Sequence, residues 1–263
     1  MIVATLISDW SNEVLYESQM IGTLISIVPD IKIINLSKGF ESFDFLKSAY
    51  ILKHSYRRYP KGTIHICLIE NYSHFSQEFL VYQNYEQFFI CRNNGLLTLL
   101  FEDIKDVYSF GICDSKNEID FVAQIFKIVS ENQYKNKAQL CQDLNFFMSQ
   151  KPAQSGNSLI GIINYIDSYG NCITNISKSE FESFVGINEF IIYIKSQNYN
   201  ISDISEDYNQ KEEGDFVAII NSLNYLELAQ NRGNLSKIMG LKVGYQIRVE
   251  LVEKSKEKQE RLF

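Results

Sequence analysis

The order of apolar and polar positions divides this chain into two textures. Residues 2–8 form a short apolar run rich in β-branched side chains, the pattern of a buried strand. Residues 14–28 repeat apolar positions at helical spacing and stop at Pro29. Residues 32–36 read as a second strand. Residues 43–56 set Phe45, Ala49, Leu52 and Tyr56 on one helical face. Pro60-Lys61-Gly62 interrupts the chain, and residues 63–69 read as a third buried strand. Strand, helix, strand, helix, strand predicts an α/β domain with a largely parallel sheet and right-handed crossovers.

The pattern continues with strands at 79–82 and 87–91, joined at Asn84-Tyr85, and a turn signal at Asn93-Asn94-Gly95. Residues 120–129 and 138–148 carry helical spacing. Residues 150–157 are small and polar and hold one of the three prolines, which places a domain boundary there. Beyond it, residues 159–166, 172–176, 190–194, 216–220 and 245–251 are short strands separated by turns, the pattern of a smaller, mainly antiparallel β domain. The expected organisation is an N-terminal α/β domain over 1–152, a β-rich C-terminal domain over 158–252 and a charged, solvated tail over 253–263.

Composition narrows the function classes. The chain has 263 residues, 45% apolar and 22% charged, the balance of a globular protein. Its formal net charge of −7 argues against a general nucleic-acid binder, because phosphate contacts need a basic face. Five cysteines, Cys67, Cys91, Cys113, Cys141 and Cys172, include no C-x-x-C pair, so reduced thiols are expected rather than a disulfide framework or a zinc knuckle. The first residues carry no basic leader, and no apolar run is long enough to span a bilayer. A cytoplasmic protein without membrane contact is expected. The histidines, His54, His65 and His74, show no metal-ligand spacing, and His54 and His65 sit in an expected helix and strand as structural groups. No metal and no cofactor are expected. G-x-G-x-x-G, Walker and G-x-S-x-G motifs are absent, so dinucleotide, NTPase and serine-hydrolase chemistry have no anchor.

Several segments then line up in order. Ser8-Asp9-Trp10-Ser11 is followed by Tyr16-Glu17-Ser18-Gln19-Met20-Ile21-Gly22. Ala49 leads to Tyr59-Pro60-Lys61-Gly62-Thr63-Ile64-His65-Ile66, and Arg92-Asn93-Asn94-Gly95-Leu96-Leu97-Thr98 follows. In the second half come Asp167-Ser168-Tyr169-Gly170-Asn171-Cys172-Ile173-Thr174-Asn175 and Ser222-Leu223-Asn224-Tyr225-Leu226-Glu227-Leu228-Ala229. Together these resemble the S-adenosylmethionine hydrolases, the hydroxide adenosyltransferase family related to the S-adenosylmethionine-dependent halogenases. The resemblance implies an α/β domain followed by a β-rich domain, a homotrimer with its site between subunits, and S-adenosylmethionine or adenosine as ligand. The implied reaction is attack of water on the ribose C5′, releasing adenosine and methionine.

The resemblance also assigns residues. Catalysis in the family uses an Asp, an Arg and a His, whose positions fall at Glu70, Gln77 and near Asn117. Glu70 keeps a carboxylate, Gln77 carries no charge and Asn117 does not titrate. His74 enters the loop between Glu70 and Gln77. It is either a base oriented by Glu70 or a loop histidine without a role. Asp9 corresponds to a ribose-gripping carboxylate, and on its own reads equally as a helix cap or loop carboxylate. Trp10 is either core or pocket wall. Tyr169 and Asn171 correspond to the adenine contacts, or to a β-turn with an exposed aromatic. Asp167 corresponds to a residue near the methionine end, and Ser73, Asn94 and Ser222 fall at ligand positions. Val14, Asn35 and Lys38 depart from the family pattern, and Glu227 reads equally as a surface charge. Three readings follow: a hydrolase with an altered site, a non-catalytic module that binds an adenosyl compound, and a structural trimer with a closed site.

Overall fold

The computed structural model describes residues 1–10, 14–37, 45–70 and 76–252. His74, Ser73, Lys38 and the charged tail 253–263 lie outside the described residues.

The chain divides between Ser149 and Gln150 into two units. The first contains β1 (Ile2–Ser8), α1 (Val14–Ile27), β2 (Ile31–Asn35), α2 (Phe45–Ser55), β3 (Ile64–Leu68), β4 (Glu78–Asn84), β5 (Gln87–Arg92), α3 (Leu96–Leu100), β6 (Tyr108–Ile112), α4 (Glu118–Ser130), α5 (Tyr134–Lys137) and β7 (Gln139–Leu140). Its sheet runs β2-β1-β3-β5-β4-β6-β7. Strands β2, β1, β3, β5 and β6 point one way, β4 and β7 the other. The inner strands β1, β3 and β5 are buried along most of their length because both faces are covered. Leu6, Ile66 and Ile90 meet Met20 and Leu24 of α1 and Val122, Ala123 and Phe126 of α4. Their neighbours Ile7, Cys67 and Cys91 face the other way, onto Phe45, Ala49 and Leu52 of α2 and the leucines of α3. The period of two along each strand thus sorts one sequence run into two cores. The β4–β5 hairpin closes through Tyr85 and Glu86, both at positive φ (48° and 61°), the backbone a two-residue turn requires.

Residues 138–148 are not helical. They contain only the short strand β7 and otherwise run irregularly. Side chains from elsewhere satisfy this backbone. Asn93 donates to Asp143 O at 2.8 Å and accepts from Asn145 N at 2.8 Å, and Thr98 Oγ1 accepts from Phe147 N at 2.8 Å. Leu144 and Phe147 still reach the core, so apolar spacing that resembles a helix serves an extended strap. Phe147 lies over Gly95, where φ is 91° and a Cβ would stand 2.7 Å from Phe147 Cβ, so this turn needs glycine.

The second unit contains β8 (Ala153–Ser155), β9 (Ser158–Ile166), β10 (Cys172–Ser177), α6 (Lys178–Val185), β11 (Phe190–Tyr193), β12 (Asn200–Ile201), β13 (Phe216–Ile220), β14 (Tyr225–Gln230), α7 (Leu235–Met239) and β15 (Gln246–Leu251). Its main path is β12-β11-β15-β9-β10-β14-β13, antiparallel, with β8 added to β9. Ser205, just beyond β12, bridges to Ile219 of β13, so the sheet is barrel-like. Helix α6 starts on a capping box in which Ser177 and Glu180 satisfy each other's backbone.

His65 shows what burial does to a titratable group here. Its Nδ1 lies 2.7 Å from Thr5 Oγ1, its Nε2 lies 3.3 Å from Gln87 Oε1, and its ring stacks on Phe89 at 4.8 Å. Desolvation lowers its pKa from 6.5 to about 4. A histidine neutral in the fold but protonated in the unfolded chain removes stability as pH falls from about 6.5 to about 4, on the order of 3 kcal/mol in total. Denaturant unfolding of the wild type and His65→Gln at pH 7 and pH 4.5 tests this. The wild type should lose more stability than the variant on acidification, and equal losses would contradict the assignment.

Candidate functional site

Parallel strands bring their C-terminal ends to one sheet edge, where α/β proteins bind ligands. Here β1 ends at Ser8 and delivers Asp9, β3 ends at Leu68 and delivers Glu70, and β5 ends at Arg92. The edge is knitted together locally. Asp9 N donates to Leu68 O at 3.2 Å, and Glu70 N donates to Asp9 Oδ2 at 3.1 Å. Asn94 Nδ2 donates to Ile69 O at 2.7 Å, which fixes the chain after β5 against the chain after β3. Asn94 is buried and its amide serves this tie.

Arg92 is the centre of the edge. Its side chain is 4% exposed. Nε meets Glu70 Oε1 at 2.9 Å, Nη2 meets Glu118 Oε2 at 2.7 Å, and Nη1 donates to Ser76 O at 3.2 Å. The guanidinium also lies over the Phe79 ring, 4.9 Å from its centroid. Glu118 opens α4, where the helix N-terminus favours a carboxylate. Glu70 Oε2 is buried and has no hydrogen-bond partner among the described residues.

The electrostatics follow from three carboxylates around one guanidinium. Burial raises the pKa values of Asp9, Glu70 and Glu118 above the ordinary carboxylate range, and Arg92 opposes that rise at each. For Glu70 the neighbouring Glu118 and Asp9 add to the rise. The cluster is therefore suited to exchanging a proton and to facing a cationic ligand. No group of three or more His, Cys, Asp or Glu among the described residues is arranged to hold a metal ion.

Beside it lies a cleft of about 280 Å³ bounded by Trp10, Tyr16, Gln19, Asn117 and Glu118. Trp10 packs against the core and also borders this cleft, with its ring 6.0 Å from Tyr16. Asn117 is exposed at the start of α4, and Val14 is 73% exposed at the start of α1.

The second unit gathers another set. Asp167 Oδ1 accepts from Tyr169 N and Asn171 N, both at 2.9 Å, and Oδ2 accepts from Asn171 Nδ2 at 3.0 Å. Gly170 completes the turn at φ 89°, where a Cβ would overlap the Asn234 side chain. Tyr169 is left 76% exposed over a hollow of about 560 Å³ shared with Asp167, Asn171, Tyr208 and Gln230. Behind it, Tyr208 donates to the buried Glu227 at 2.5 Å and Asn221 Nδ2 donates to its other oxygen at 3.0 Å. Glu227 is thus an internal hydrogen-bond acceptor, not a surface charge. Ser222 is exposed in the turn between β13 and β14 and does not border the hollow.

Residues 4–130 match the SAM hydroxide adenosyltransferase N-terminal domain, and residues 161–248 match the C-terminal domain. The chain belongs to the SAM hydroxide adenosyltransferase family. It is similar to the (R)-S-adenosyl-L-methionine hydrolase of Methanocaldococcus jannaschii, 24% identical over 95% of each chain. Crystal structures of an uncharacterized conserved protein from Thermotoga maritima and a conserved hypothetical protein from Thermus thermophilus share the fold. The first has a TM-score of 0.80 at 18% identity over 95% of this chain and 99% of its own. The second has a TM-score of 0.72 at 18% identity over 96% and 100%.

Within this family frame, the described residues bring Asp9, Trp10, Glu70 and Asn94 to one sheet edge, and Asp167, Tyr169 and Asn171 to one turn. Arg92 and Glu118 were not singled out from the sequence. The available signal was a charged residue closing the otherwise buried run Gln87-Phe-Phe-Ile-Cys-Arg92. An arginine at the end of a buried strand needs a carboxylate partner.

The turn in the second unit is testable by stability. Asp167→Ala removes three hydrogen bonds to a carboxylate and should cost about 2 kcal/mol in denaturant unfolding. Tyr169→Ala, at an exposed position, should stay within about 0.5 kcal/mol of wild type. A destabilising Tyr169→Ala with a neutral Asp167→Ala would invert the assigned roles.

Proposed function

We propose that this protein hydrolyses S-adenosylmethionine to adenosine and methionine, with Glu70 as the base. The observation that carries the proposal is the family match across both domains. The ionic cluster at the sheet edge supports it. The substrate is a sulfonium, so its leaving group departs as a neutral thioether and needs no acid. The demand falls on the nucleophile. A water oxygen bonds to C5′, the C5′–S bond breaks with its electron pair going to sulfur, and the water proton passes to the Glu70 carboxylate and then to solvent. One proton is released per turnover.

In this reading Asp9 grips the ribose hydroxyls, Trp10 walls the pocket, and Tyr169 and Asn171 meet adenine. Asp167 lies toward the methionine end, where its carboxylate is already engaged by the turn. Asn94 braces this edge through its tie to the Ile69 carbonyl. The neutral side chains of Gln77 and Asn117 favour one other reading, an adenosyl-compound-binding protein without turnover.

Incubation with S-adenosylmethionine in ¹⁸O-water, followed by chromatography and mass analysis, separates the two. The hydrolase reading predicts adenosine carrying one ¹⁸O, and a loss of about a hundredfold or more in Glu70→Gln, the scale expected for a removed general base. Burial raises the Glu70 pKa, so turnover should fall as pH drops through that raised value and protonates the base. Absence of adenosine, with melting temperature still raised by adenosine and the rise abolished in Asp9→Ala, would establish the binding-only reading instead.

The proposal includes a homotrimer. Light scattering at micromolar concentration should give a mass of three chains. A monomer would contradict the assembly.

A further inference from the structure

Outside the residues already given roles, the strongest candidate chemistry lies at Arg92. Two other places are weaker. The basic hollow near Lys53, Arg57 and Arg58 is formed by surface side chains, with Arg57 already engaged by Tyr56 and the Tyr85 ring. Buried His65 is fully occupied by Thr5, Gln87 and Phe89. Arg92 differs from both, because it is buried, charged and bonded to the proposed base.

We propose that Arg92 is a positioning residue of this site, orienting Glu70 from the end of β5 and holding it ionised. The inference rests on the hydrolase reading and adds to it a guanidinium supplied from position 92, where position 77 has glutamine.

The two oxygens of Glu70 are held differently. Arg92 Nε takes Glu70 Oε1 at 2.9 Å, while Glu70 Oε2 has no hydrogen-bond partner among the described residues. One oxygen is held, which fixes the carboxylate plane, and the other is left to take a proton. Nη1 and Nη2 are held by Ser76 O and Glu118 Oε2, so the guanidinium has a defined orientation of its own. A lysine cannot reproduce this, because the planar fork engages three groups in fixed directions. The elements around Glu70 present Arg92 from β5, Glu118 from α4 and Asp9 from the end of β1. Arg92 is the one cation among these, facing three carboxylates, and the balance that keeps Glu70 charged depends on it. Cys113, which follows β6, also senses Arg92 and Glu118.

The test compares wild type, Arg92→Lys and Arg92→Gln. It reads kcat and KM for S-adenosylmethionine against pH, and the Glu70 carboxyl titration by ¹³C NMR, assigned with Glu70→Gln. Removing the guanidinium should raise the Glu70 midpoint and move the acid limb of the kcat profile to higher pH with it. At the pH optimum, kcat in Arg92→Gln should fall about a hundredfold with KM within about threefold, the pattern of a lost transition-state interaction. Arg92→Lys keeps the charge and loses the fork, so it should fold like the wild type and lose roughly tenfold in kcat. If Arg92→Gln does not fold, Arg92→Lys decides. Wild-type kcat in Arg92→Lys overturns the proposal. So does an unmoved Glu70 midpoint in a folded Arg92→Gln. A wild type that makes no adenosine overturns the hydrolase reading alone. The NMR titration then still decides Arg92, which is supported by a raised midpoint and overturned by an unchanged one.

Discussion

A guanidinium that is 4% exposed has to be neutralised where it sits, because an unpaired charge in a protein interior costs several kcal/mol. Arg92 therefore dictates its surroundings. Glu70 comes to it from the end of β3 and Glu118 from the first turn of α4, and the Ser76 carbonyl fills its remaining direction. Asp9, at the end of β1, binds the backbone of Glu70 and senses the same charge. Three segments far apart in sequence are thus drawn to one sheet edge by one cation. Taking away either glutamate partner would leave that cation under-compensated, and taking away the cation would leave carboxylates crowded together.

The same arrangement sets the chemistry. One guanidinium does not balance three carboxylates, and burial raises the pKa of each. Excess negative charge suits a ligand carrying a positive centre, and a carboxylate with a raised pKa is a better proton acceptor than an ordinary surface one. A sulfonium substrate needs nothing more than an oriented water and a place for its proton. On the proposed reading, Glu70 and Arg92 meet that need although position 77 lacks charge and position 117 a titrating group.

Much of the fold was legible in the sequence because burial on both faces leaves a plain mark. The runs at β1 and β3 are mainly apolar and β-branched, and Phe45, Ala49, Leu52 and Tyr56 repeat at helical spacing because one face of α2 meets the sheet. Residues 138–148 misled because Leu144 and Phe147 reach the core from an irregular strap whose backbone is held by Asn93 and Thr98. Those partners lie some fifty residues away, beyond the reach of any local pattern. In the second unit, α6 was missed although Ser177 and Glu180 carry a capping box, because its short apolar face lies among strands. Of the candidate site, Asp9 and Glu70 were proposed by resemblance. Arg92 was not, because the element Arg92-Asn93-Asn94-Gly95 reads first as a turn, and only the packing of β5 between β3 and β4 reveals where the strand delivers its last side chain.

The central claim is that the sheet edge around Asp9, Glu70 and Arg92 receives the nucleoside. The most direct measurement is a crystal structure of the protein with adenosine and methionine. The account predicts the ribose within hydrogen-bond distance of Asp9 and the C5′ side of the sugar turned toward Glu70. Adenosine bound away from that edge, or an edge closed to it with Arg92 and the two glutamates sealed from the ligand, would contradict it.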